Sequence, residues 1–221
     1  MGARDEGSAL SVSPRLEGPS DARWTLLLAH GAGAGTTSDF FTELSTRLLG
    51  LGGEIGLRIA LFDFPYMEQR MQTGRRRPPD RMPDLQRAYL DAIAALASEP
   101  ERLVIGGKSM GGRVASMIAD RAPIAGLVCL GYPFHPRGQP EKLRTAHLEE
   151  LATPTLICQG VRDPLGSAED VKGYCLSSNI RIEWLPDGDH DLVPRKRSGH
   201  TRAGNRDAAA AAIVRFIGSL P

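Results

Sequence analysis

Six short apolar runs, separated by stretches of helical patterning, constrain this chain more than any other feature of it. The runs fall at residues 24–29, 57–62, 103–106, 126–130, 154–158 and 180–184. Most are apolar nearly throughout rather than alternating, which is the pattern of a strand buried on both faces. Between them lie helical patterns at 40–49, 83–97, 111–121, 141–151, 168–176 and 207–217, the last opening at Asp207 as its cap. Strand and helix alternating in this way predict an open, mostly parallel sheet with helices on both faces. Residues 1–22 are polar and contain Gly, Ser and Pro, so they read as a loose tail with an edge strand near Leu10 to Val12. The remainder, 23–221, reads as one domain.

Charge and composition exclude several classes of function. Lys and Arg number 27 against 26 Asp and Glu, a formal net charge of +1, which does not supply the cationic surface of a general nucleic-acid binder. No apolar run is long enough to span a bilayer, and the first residues have neither an apolar signal core nor a myristoylation pattern. Three cysteines, two of them inside strand-like runs, fit a reducing compartment, so a cytoplasmic protein is expected. Positive charge gathers in two segments predicted as loops, 64–82 with Arg75-Arg76-Arg77 and 194–206 with Arg195-Lys196-Arg197. Each reads as a solvated loop or as the wall of a cleft for an anionic substrate.

The third apolar run leads into Gly107-Lys108-Ser109-Met110-Gly111. A bare G-x-S-x-G carries little information, but one between a strand and a helix is the nucleophile turn of acyl-transfer enzymes. There the serine is raised to the sheet edge, and the helix N-terminus offers the Met110 amide to a developing oxyanion. A phosphate-loop reading of Gly107-Lys108-Ser109 fails because its first glycine would fall on Arg102. A passive serine in a Gly-rich turn is the plainer alternative. The first run ends in His30-Gly31-Ala32-Gly33-Ala34-Gly35, where small residues let amides approach a reacting carbonyl and Ala32 is the natural second donor. A dinucleotide fingerprint there would need Gly where Thr36 stands.

An acid and a base should follow in that order, each after a later strand. Asp163 follows the fifth run and His190 the sixth, at the same sheet edge as Ser109. Asp187, Asp189 and Asp191 read as turn formers and surface charges, His147 and His200 as surface residues, and His30 as a structural hydrogen-bonding group. Tyr132, His135 and Arg195 are candidate substrate contacts. No metal or cofactor is implied by the spacing of the histidines and cysteines.

These motifs resemble the α/β-hydrolase superfamily over about residues 23–220. Within it, Phe64-Pro65-Tyr66-Met67, Arg76-Arg77-Pro78-Pro79, Gly131-Tyr132-Pro133-Phe134-His135-Pro136, Lys142-Leu143-Arg144 and Pro194-Arg195-Lys196 are similar to a smaller group. That group contains the third subunit of the non-specific lethal acetyltransferase complex and its bacterial relatives, and is dienelactone-hydrolase-like in a looser sense. The resemblance implies a hydrolase fold with Ser109, Asp163 and His190 as triad, and implies little about substrate. The triad residues themselves lead us to expect a serine hydrolase of an ester, thioester or similar acyl bond in a small molecule. Because some relatives are subunits of complexes, a non-catalytic scaffold is the alternative. Only about ten residues separate the fourth run from the next helical pattern, so no lid domain is expected there.

Overall fold

The computed structural model describes residues 12–96 and 99–221. Seven strands form one sheet in the order β1-β3-β2-β4-β5-β6-β7. They are β1 (Arg15–Glu17), β2 (Trp24–Ala29), β3 (Leu57–Phe62), β4 (Leu103–Lys108), β5 (Gly126–Leu130), β6 (Thr155–Gly160) and β7 (Ile180–Leu185). All pairings are parallel except that of β1, which runs antiparallel along β3 at the edge. The edge strand predicted near 10–12 therefore lies at 15–17. Of the predicted stretch, residues 10 and 11 fall outside the described residues, while Val12 is buried in the core.

Alternate residues of the same strands feed two cores, as a period of two requires. Leu26 and Leu28 of β2, with Val104, Val128 and Leu156, pack against α1 (Asp39–Leu51) and α6 (Arg202–Gly218). Leu27 and Ala29, with Ile105, Leu127 and Ile157, pack on the other side against α2 (Pro65–Thr73), α3 (Met82–Ala94) and α4 (Met110–Ile118). The short α5 (Ala168–Val171) joins that second layer through Val171. Helices thus cover both faces. This is the α/β-hydrolase fold.

Four helix boundaries differ from the sequence reading, each for a local reason. The predicted helix at 141–151 is a run of turns with one 3-10 turn, Ala146–Leu148. Its backbone is committed elsewhere: Lys142 N bonds Gln139 O, and Arg144 N bonds Phe134 O. The helix predicted to reach 176 ends at Val171, and Gly173 N turns back to Asp170 O. Conversely, the predicted loop 64–82 contains α2, which Pro65 opens at N1 and Gly74 closes with φ 67°. The last helix starts five residues early because Thr201, not Asp207, caps it by accepting Gly204 N. Asp207 instead pairs with Arg47 of α1 at 2.6 Å.

Between β5 and β6 the described chain holds no helix beyond that 3-10 turn, so no lid domain is inserted there. Among the described residues, no helix is long and apolar enough to cross a membrane.

Candidate active site

The turn between β4 and α4 is built by its glycines. A Cβ on either Gly107 or Gly111 would sit 2.4 Å from the carbonyl oxygen of Ala29, so no other residue fits where strand and helix converge. Ser109, between them, has φ 51° and ψ −112°. A non-glycine backbone in that region costs on the order of 1–3 kcal/mol, which the surrounding close packing must offset. The serine hydroxyl is thereby lifted above the sheet at the N-terminus of α4, where the first helical amides lack intrahelical acceptors.

Ser109 Oγ lies 2.8 Å from Nε2 of His190, and Nδ1 of the same ring lies 2.8 Å from Asp163 Oδ2. Three sequence-predicted residues separated by up to 81 positions therefore form one unbroken hydrogen-bonded chain. Asp163 is fully buried, and its carboxylate accepts two hydrogen bonds besides that from His190. Leu165 N bonds Oδ1 at 2.9 Å, and Gln159 Nε2 bonds Oδ2 at 2.9 Å. With the carboxylate accepting from Nδ1, that nitrogen carries the proton and Nε2 is left to accept from the serine.

His190 stands on a tight turn after β7 in which Asp187 (φ 50°) and Leu192 (φ 64°) adopt left-handed backbone. Side chains hold the turn in place. Asp189 Oδ1 accepts the amides of Asp191 and Val193, and Asn205 Nδ2 of α6 bonds the carbonyls of Pro186 and Leu192. Asp187 grips Arg162 and Arg195, and chiefly the Arg195 hydrogen bond holds its carboxyl well below the usual carboxylate range.

The Gly31–Gly35 loop passes close over the serine: a Cβ on Gly31 would stand 3.5 Å from Ser109 Cβ. His30, fully buried, accepts Phe64 N at Nε2, which leaves Nδ1 to donate to the Gly31 carbonyl. Burial keeps its pKa below the usual imidazole range, against the opposing Gly31 bond and Asp63 charge. Tyr66 OH also donates to the Gly31 and Ala32 carbonyls, each at 3.3 Å. In a trans peptide the amide points opposite to its carbonyl, so these bonds orient the Ala32 N–H away from Tyr66. Tyr66 was visible in the sequence as part of Phe64-Pro65-Tyr66-Met67, but nothing in its spacing pointed to this loop.

A cleft of about 590 Å³ opens beside the serine. Ser109, His190, Ala32, Lys108, Phe40 and Arg206 are among the residues lining it. Lys108, Phe40 and Arg206 went unnoticed in the sequence because helices α1 and α6 bring the last two in from distant positions. The three candidate substrate contacts do not line this cleft. Tyr132 is fully buried, with its hydroxyl on the Arg144 carbonyl and its amide on Gln159. His135 is buried too, with Nδ1 2.9 Å from Pro136 O, and the Arg195 guanidinium is committed to Asp187. In this structure all three therefore stand apart from the cleft beside Ser109.

A second serine–histidine pair exists. Ser116 Oγ lies 2.8 Å from Nε2 of His147, which is half-buried rather than the surface residue expected from the sequence. Ser116 sits inside α4, is 2% exposed, and donates to the Arg113 carbonyl. Burial, reinforced by the Arg113 charge, keeps the His147 pKa below the usual imidazole range. No carboxylate stands behind this imidazole among the described residues.

Residues 22–218 match the model of the alpha/beta hydrolase domain family, and the chain belongs to that family. Among solved structures, it is similar to a dienelactone hydrolase from Anabaena variabilis (TM-score 0.67, 21% identity, 93% of this chain and 90% of that one). It is similar also to XC6422 from Xanthomonas campestris, described as a serine hydrolase without lid (TM-score 0.63, 17% identity, 93% and 89%). A third is Est1E from Butyrivibrio proteoclasticus (TM-score 0.61, 15% identity, 92% and 93%). At these identities the likeness is one of fold.

Proposed function

We propose that this chain is a serine hydrolase that cleaves an ester, thioester or related acyl bond through an acyl-enzyme intermediate. The observation that carries the reading is the continuous Ser109–His190–Asp163 chain, with 2.8 Å at both links, on the wall of an open cleft. Ser109 Oγ attacks the acyl carbon while His190 Nε2 takes its proton, and Asp163 holds the imidazolium at Nδ1. The Ala32 and Met110 amides receive the negative charge that builds on the carbonyl oxygen. His190 then hands its proton to the leaving group, and water releases the acyl group by the same steps in reverse.

The cleft narrows the substrate class. A volume of about 590 Å³ holds a small molecule, and Phe40, Phe41 and Val193 give it apolar wall. Without a lid there is no apolar cover to displace at a lipid interface, which argues against a lipase with interfacial activation. Three free cysteines, an odd number, suit a reducing compartment, and on that ground we place the protein in the cytoplasm. Within its family we put the chain nearest the group that includes the non-specific lethal complex subunit, on the sequence motifs around Pro65, Pro78 and Pro133. Since that group includes subunits of complexes, turnover is the point to test.

The test is a panel of nitrophenyl esters and acyl thioesters of increasing acyl length, assayed with the purified protein. Turnover of short members, absent from Ser109→Ala, is expected. Rates no higher than those of Ser109→Ala across the whole panel would overturn the reading.

A further inference from the structure

We propose that Lys108, the residue before the serine, is a positioning residue that clamps the His190 turn to the nucleophile turn. The inference rests on the hydrolase reading and extends it to a residue outside the triad.

Lys108 Nζ donates to the backbone carbonyl of His190 at 2.8 Å and lies 3.1 Å from Asp191 Oδ1. Its side chain is 9% exposed, with the ammonium 5.6 Å from the centre of the Phe40 ring. Two of the three ammonium donors are therefore spent on the segment that carries the imidazole. Room for this contact is made by Gly131, whose φ is 63° and where a Cβ would stand 2.7 Å from the His190 carbonyl oxygen.

The His190 turn needs such a hold. It carries left-handed backbone at Asp187 and Leu192. Its other braces are Asp189 and the Asp187 ion pairs within the turn region and Asn205, which grips it from the α6 side at Pro186 and Leu192. Lys108 alone among these braces is covalently next to Ser109, so it fixes the imidazole relative to the hydroxyl it must deprotonate. A flexible four-carbon stem with a point charge suits this task, because one ammonium can serve a carbonyl and a carboxylate together. Burial lowers the Lys108 pKa, and the nearby Asp191, Asp163 and Asp189 charges oppose that shift. Asp191 also balances the ammonium, so that the imidazolium formed during proton transfer does not face an unpaired cation.

Lys108→Met keeps the stem and removes the donors. Its expected effect is a fall of about 30-fold in kcat and in the rate of fluorophosphonate labelling, with KM changed by less than about 2-fold. Lys108→Arg is expected to recover most of that loss. The downfield proton resonance of the His190 Nδ1–H bond to Asp163, identified by its absence in Asp163→Asn, should broaden or vanish in Lys108→Met. A folded Lys108→Met with wild-type kcat and an intact resonance would overturn the proposal. A loss confined to KM would also overturn it, making Lys108 a substrate contact instead. If Lys108→Met does not fold, Asp191→Asn takes its place, with a fall of about 5-fold in kcat expected; an unchanged kcat there overturns the clamp. A wild-type protein that neither labels nor turns over any ester would overturn the hydrolase reading, while the resonance comparison would still judge the clamp.

Discussion

Two serine–histidine pairs in this molecule have the same 2.8 Å separation, yet only one has the surroundings of a catalyst. Ser109 rises from a left-handed turn beside a cleft, with a buried carboxylate behind its histidine. Ser116 lies within a helix, its hydroxyl proton is given to the Arg113 carbonyl, and the charge near its histidine is a guanidinium. A carboxylate favours the imidazolium that proton abstraction creates; a guanidinium opposes it. Proximity of the two side chains is common to both. Access and the third group separate them.

That contrast can be broken most severely by exchanging which serine is removed. Ser109→Ala is expected to lower kcat/KM by at least about 10⁴-fold in an ester assay, as loss of a triad nucleophile does. Ser116→Ala should leave it within about 2-fold. Next in size is Asp163→Asn, which offers Nδ1 a donor in place of an acceptor and should cost kcat about 10³ to 10⁴-fold. A mild loss on that substitution would mean that the acid behind His190 is not what distinguishes the two pairs.

The second pair should show itself in stability instead. Ser116→Ala removes a buried hydroxyl that joins α4 to His147 and the Tyr132 hydroxyl, and should cost about 1–3 kcal/mol in urea unfolding. The smallest effect concerns pH. The folded-state pKa of His147 is depressed, so the unfolded chain binds the proton more readily. Its contribution to stability is therefore present above the ordinary value of 6.5 and is lost as pH falls below it. His147→Gln should flatten the stability profile in that window relative to wild type. His30, also depressed, remains in both proteins and leaves a residual slope.

Much of this site was legible in the sequence, and the reason is specific. Residues that must sit at a strand end carry their own backbone demands, so Gly107 and Gly111 announced Ser109, and the strand ends before Asp163 and His190 announced the other two. The strands themselves were legible because both faces are buried and the runs stay apolar. What could not be read were contacts made by tertiary placement. Phe40 and Arg206, 166 residues apart in the chain, reach the cleft from two helices, and Tyr132, read as a candidate substrate contact, is buried in the core. The missing helix at 141–151 belongs to the same class: its local pattern was helical, but the carbonyls of Gln139 and Phe134 take the amides of Lys142 and Arg144. Arg195 was conspicuous for its charge, yet its partner Asp187 lies eight residues away across a turn whose geometry the sequence did not show.

The most direct measurement is to label the wild-type protein with a fluorophosphonate and locate the adduct by peptide mass spectrometry. The expected result is a single modification on Ser109, absent in Ser109→Ala and undiminished in Ser116→Ala. An adduct on Ser116, or no adduct on a folded wild-type protein, would contradict the assignment of Ser109 as the nucleophile.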